Sequence, residues 1–125
     1  MTIITAAKSR EPSFTKETLG TFSGDVYFSH LHKDEHVSIL DVKFSPCART
    51  HWHSHEKGQL LEITTGSGWD RSPAESRLAI LFGAPPGTVH WHGADESNSM
   101  IHRAISFGGM EWQDPVSEND LKGTH

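Results

Sequence analysis

Between Phe22 and Phe107 the chain never sustains a helical period. It divides into about seven or eight short segments closed by glycine, proline or polar clusters, and that spacing restricts it to an antiparallel sandwich or barrel. Val37 to Phe44 is the clearest segment: Leu40, Val42 and Phe44 alternate with Ile39, Asp41 and Lys43, so one face is buried and the other is wet. Phe22 to Phe28 supplies aromatic and β-branched strand residues around a Gly24-Asp25 turn. Arg49 to His55 and Gln59 to Thr65 are paired about a tight Glu56-Lys57-Gly58 turn. Met100 to Phe107 sets His102, Ala104 and Ser106 on one face against Ile101, Arg103 and Ile105. Leu78 to Phe82 reads as a core strand, Trp69 to Arg77 as an exposed hairpin tip, and the stretch from Gly108 onward as polar apart from Trp112 and Val116.

With 125 residues the chain is sized for one domain: an N-terminal arm over 1–21, a barrel core over about 22–107 and a tail over 108–125. A net charge of −5 without a lysine or arginine cluster argues against a nucleic-acid partner, because neutralising phosphates requires a basic patch. No apolar run approaches the ~20 residues of a membrane span. The single cysteine, Cys47, has no internal partner for a disulfide, and Met1 to Ala7 is too short and threonine-rich for a signal peptide. The expectation is a cytoplasmic protein whose partners are small molecules.

Ten histidines are several times the ordinary share for this length. They cluster as His30, His32 and His36; His51, His53 and His55; and His90, His92 and His102, with His125 apart. Alternate residues of a strand face the same way, so His51, His53 and His55 are expected to project together, and the tight turn returns Gln59 beside them. His90, in Pro85-Pro86-Gly87-Thr88-Val89-His90, is a further candidate for such a metal site. His102 faces inward if its strand's alternation holds, either as a base or as a core histidine bonded to backbone; His92 shares the face of His90. His30, His32 and His36 surround Lys33-Asp34-Glu35 and are expected on a solvated loop. Trp52 and Trp91 fall between inward histidines and are expected to pack outward, on a second sheet or a partner subunit.

Two motifs in this order resemble the cupin family. The first is His53, His55, Gln59 and Gly66, with glutamine where glutamate is usual; the second is Pro85, Gly87 and His90. The resemblance spans about Val37 to Ile105. It implies an all-β cupin double-stranded β-helix, a jelly-roll barrel, with His53, His55, Gln59 and His90 as ligands of one divalent metal ion and His51 nearer the rim. Ala48-Arg49-Thr50, Gly66-x-Gly68-Trp69 and His90-Trp91-His92-Gly93-Ala94 look most like the small manganese cupins, a group that includes bacterial cupin hydroxynitrile lyases. Manganese is therefore the expected metal, with iron, zinc, nickel or cobalt as alternatives. Leu40 and Ser106 stand where those lyases carry alanine and glutamine.

A neutral glutamine leaves the 2+ charge uncompensated, which favours an anionic oxygen in an open position. The implied activity is a lyase that cleaves or forms a carbon–carbon bond next to a metal-held oxygen of a small oxygenated substrate. His102 and His92 are the candidate bases, and Leu40, Val42, Phe44, His51, Ala104 and Ser106 the pocket wall. An Fe(II) dioxygenase, a decarboxylase or isomerase of a keto or hydroxy acid, and a non-catalytic binding cupin share the same ligands. The outward aromatics and the arm suit a homodimer or homotetramer.

Overall fold

The computed structural model describes residues 14–18, 20–72, 75–77 and 81–121. Its strands are β1 (Thr15–Lys16), β2 (Phe22–Ser23), β3 (Val26–Lys33), β4 (Val37–Phe44), β5 (Arg49–Thr50), β6 (His53–His55), β7 (Gln59–Gly66), β8 (Gly68–Ser72), β9 (Glu75–Arg77), β10 (Leu81–Ala84), β11 (Trp91–Ala94), β12 (Met100–Phe107) and β13 (Met110–Trp112), followed by a short helix α1 (Glu118–Leu121). They form a six-stranded sheet ordered β1-β3-β4-β12-β7-β10, a five-stranded sheet ordered β2-β5-β11-β8-β9, and the pair β13-β6. Pairing is antiparallel throughout, as expected of a jelly-roll barrel.

Alternation decides which residues enter the barrel. Along β12, Met100, His102 and Ala104 are buried while Arg103 and Phe107 are exposed, and along β4 Val42 and Phe44 are buried beside exposed Lys43. Val26, Val42, Phe44, Ala48, Ala94 and Met100 form one apolar cluster, with Phe22, Phe28, Leu40 and Ile63 packed on it; Leu61 and Ala104 form a second. The register of β12 against β7 slips between Ile101 and His102, a bulge at the strand's entry into the barrel.

Several expectations are corrected. Trp69, Asp70 and Arg71 are not an exposed hairpin tip: they lie in β8, paired along β11, and Asp70 and Arg71 are buried. Their polar sequence hid a strand: Asp70 is buried against His90, and an Arg71 terminal nitrogen against the Asp120 and Leu121 carbonyls. The tip itself, 73–74, and residues 78–80 of the expected core strand lie outside the described residues, while Leu81 and Phe82 do stand in β10, paired with β7. His30 and His32 belong to β3 rather than to a loop, although both are exposed and the register slips between them.

The C-terminal stretch is also more than a polar tail. β13 pairs with β6, Val116 is 5% exposed, and the Trp52 main chain exchanges hydrogen bonds with Asp114 and Gln113 at 3.0 and 2.7 Å. Trp52 donates Nε1–H to Asp120 Oδ2 at 3.2 Å, so this tryptophan packs on its own chain's C-terminal segment. Of the arm, Thr15–Lys16 forms an edge strand against β3. Residues 1–13 and 19 lie outside the described residues.

Candidate metal centre

His53 and His55 occupy alternate positions of β6 and are 0% and 3% exposed. The main chain of His53 exchanges hydrogen bonds of 2.9 and 2.8 Å with His90, which fixes the two rings side by side, centroids 4.6 Å apart. Gly58 closes the turn at φ +93°, a conformation that favours glycine, and starts β7 at Gln59. The second motif is tied down by Gly87, also at positive φ, whose N–H donates to the His55 carbonyl at 2.9 Å. Both turns are therefore geometric requirements for bringing Gln59 and His90 toward β6.

The ligand-type atoms of His53, His55 and His90 lie within 4.8 Å of one another. Imidazole nitrogens held about 2.1 Å from a shared ion stand at most about 4.2 Å apart, so the cluster is close to ligating dimensions. Nε2 of each ring and Oε1 of Gln59 are buried without a hydrogen-bond partner. Unpaired buried acceptors are rare in folded proteins, and three converging imidazole nitrogens mark a place for a cation.

The outer atoms of three of these residues are engaged. His53 Nδ1 meets the His51 carbonyl at 2.9 Å and His90 Nδ1 meets Asp70 Oδ1 at 2.8 Å. Gln59 donates Nε2–H to Ser106 Oγ at 2.9 Å, leaving its carbonyl oxygen on the other side. Such outer contacts orient ligands and set the imidazole tautomer. Asp70, His90 and His92 also form a group within 4.8 Å, but Asp70 faces Nδ1 of His90 and so leaves Nε2 to the first cluster.

Burial favours the neutral form of His53, His55, His92 and His102. Desolvation, then the neighbouring His90, pushes His55 down to about 4 and His53 well below its ordinary value. His102 is lowered to about 3 by desolvation and then by His90; His92 is lowered well below its ordinary value by desolvation and then by His102. Neutral imidazoles are what a cation requires.

His92 and His102 complete the cluster, 4.7 Å apart between ring centroids, with Phe44 edge-on to both. Both ring nitrogens of His102 are buried and unpartnered, which removes the alternative of a core histidine bonded to backbone. His51 lies at the break between β5 and β6; its ring is half-buried and its carbonyl meets His53 Nδ1. Val42 and Phe44 pack in the first apolar cluster, Leu40 lies against it, and Ala104 sits with Leu61.

Two contributors lay outside the expected site. Asp70 was hidden in the supposed hairpin tip; its only sequence signal was a position midway between Trp69 and Arg71 on an alternating segment. Trp112, from the supposed tail, stacks against His53 with centroids 4.9 Å apart. Trp91 does point away from the barrel, yet it is 2% exposed, with the Arg71 guanidinium over its ring.

The chain is 35% identical over 112 residues to an (R)-mandelonitrile lyase of Granulicella tundricola, covering 81% of this chain and 86% of that protein. A cupin-like protein of Thermotoga maritima superposes with TM-score 0.83 at 33% identity, over 91% of this chain and 94% of the other. A cupin 2 conserved barrel domain protein from Rhodopseudomonas palustris shares the fold, with TM-score 0.65, 16% identity and coverage of 88% and 79%. No family model matches the chain.

Proposed function

The chain belongs to the cupin family, among small members related to hydroxynitrile lyases, and from that membership we propose that it is a metal-dependent lyase making or breaking a carbon–carbon bond beside a hydroxyl or carbonyl oxygen, as in a cyanohydrin. The observation that carries this reading is the cluster of buried, unpartnered imidazole nitrogens on His53, His55 and His90, with the Gln59 carbonyl oxygen likewise buried and unpartnered. These four residues would hold one divalent ion, for which manganese is our assignment. A bound ion of this kind supplies Lewis acidity to a hydroxyl or carbonyl oxygen.

The remaining chemistry falls to the chain's own side chains. His102, neutral and without a partner at either nitrogen, takes the hydroxyl proton of the cyanohydrin as the carbon–carbon bond breaks. Because burial disfavours the imidazolium, it hands that proton on to the departing cyanide, and the products are the carbonyl compound and hydrogen cyanide. The reverse sequence forms the bond. His92 packs edge-on to His102 and holds its ring in place. Phe44 and Ala104, with Leu40, Val42 and Ser106, form the wall on the β4–β12 side.

Metal analysis of the purified protein, followed by parallel assays of cyanide release from mandelonitrile and of oxygen uptake, tests the reading. Bound metal with cyanide release and no oxygen uptake is expected; a folded protein with no metal affinity sinks it. His102→Ala should lose most of the lyase rate while retaining metal, and full activity in that variant would remove His102 as the base. We also propose that the chain self-associates, since Leu60 and Phe107 are 38% and 39% exposed; light scattering should return a dimer or tetramer mass. Among the described residues no helix is long and apolar enough to cross a membrane.

A further inference from the structure

The alternation that turns His90 and His92 into the barrel turns Trp91 and Gly93 out onto the opposite face of the second sheet. Cross-strand pairing sets Arg71 beside Trp91, and Trp69 and Arg49 beside Gly93. Gly93 has to be bare there, because a side chain would strike the Ala48 main chain and the Arg49 stem. Above this floor lies a cavity of about 310 Å³ lined by Arg49, Arg71, Trp69, Trp91 and Leu121 and, on its acidic side, by Asp95 and Glu96.

Three buried donors on residues that line this cavity have no hydrogen-bond partner: Arg49 Nε, Arg71 Nε and Trp91 Nε1. Each is held still by something else. Arg71 donates from one terminal nitrogen to the Asp120 and Leu121 carbonyls at 3.2 and 3.0 Å, and its guanidinium lies 4.7 Å from the Trp69 ring centroid and 5.4 Å from that of Trp91. Arg49 donates to the Cys47 carbonyl at 3.1 Å. Asp95, at the margin of the cavity, is occupied by its own turn, accepting from Ser67, Ser97 and Asn98. Buried donors without acceptors are costly, and preorganised guanidinium and indole N–H groups suit a carboxylate.

We propose that this outer cavity is a binding site for a small monocarboxylate with an apolar body, its carboxylate taken by Arg49, Arg71 and Trp91 and its body lying against Trp69, Ala94 and Leu121. The volume suits one small organic acid, at the lower end of the range of ligand pockets. The site is separate from the histidine cluster, being on the other face of β11, and it does not depend on the lyase reading.

The test follows the four tryptophan indole N–H signals by nitrogen-edited NMR of the protein loaded with diamagnetic zinc during titration with benzoate, with benzyl alcohol and inorganic phosphate as controls. Benzoate should shift the Trp91 signal saturably in the millimolar range. Benzyl alcohol should leave it in place, and phosphate should bind at least tenfold more weakly. Arg49→Gln should weaken benzoate about tenfold while the other indole signals keep their positions, which reports an intact fold; Arg49→Lys should fall between. No saturable shift, a shift that survives Arg49→Gln, an equal response to benzyl alcohol, or phosphate binding as well as benzoate would each overturn the assignment.

Discussion

Two histidine groups in one chain have opposite fates. On the β3–β4 hairpin, the side chains of His32 and His36 are 52% and 81% exposed, and His32 is spent on Asp34 at 2.8 Å. That contact, with the His36 and Val37 amides, holds the Asp34 carboxyl well below its usual range, as expected of a self-contained turn. In the barrel, His53, His90 and His102 are each at most 1% exposed and retain unpartnered nitrogens. Density of histidine is thus a poor marker of a site. Burial combined with an unsatisfied, convergent atom is the informative one, because solvent cannot complete such a group and something else must.

Removing a cluster ligand should separate the two groups most sharply. His53→Ala is expected to reduce bound metal from near one equivalent to background, whereas His32→Ala should leave it unchanged; metal analysis after dialysis checks both. Comparable metal loss in the two variants would erase the distinction.

Acidification should act on the barrel group next. The folded-state pKa values of His53, His55, His92 and His102 are depressed below the ordinary histidine value, so the unfolded chain takes up protons first. In metal-stripped protein this stabilisation should be complete above about pH 6.5 and be lost as pH falls toward the folded values, at about 1.4 kcal/mol per pH unit for each extra proton on the unfolded chain. Urea unfolding at pH 8, 6 and 5 measures the slope. Stability that stays flat below pH 6.5 would contradict the buried, neutral cluster.

Asp70→Asn probes the contact to His90 without removing a ligand, and metal affinity should fall about 10–100-fold. Ser106→Ala frees the Gln59 amide to turn, and a smaller loss of about tenfold is expected. Competition with a chromogenic chelator reads both; unchanged affinity in Asp70→Asn would assign that carboxylate to folding alone. The smallest effect belongs to the hairpin: His32→Ala should change unfolding free energy by no more than about 0.5 kcal/mol.

The strands and the candidate ligands were legible because their signals are local. Period-two alternation marked the inward faces of β4 and β12, and His53, His55 and His90 sat at spacings that a strand and glycine turns convert into proximity. His51 lies beyond the reach of that rule, since alternation extends only as far as the strand and this one breaks at His51-Trp52. Asp70, Arg71 and Trp112 were missed for the converse reason: polar or isolated residues carry no period, and their burial depends on partners distant in the chain.

The sequence by itself thus determined the all-β architecture, the metal-type donor set and the division of the histidines into groups, all of which follow from backbone periodicity and residue chemistry. Only the tertiary structure decided which outer atoms hold the donors, with Asp70 behind His90 and Ser106 behind Gln59. It also decided that β13 and Trp112 close over His53 and that Arg49, Arg71 and Trp91 meet on the outer face. These are contacts between segments whose meeting depends on how the sheets fold around one another, and no local pattern encodes that.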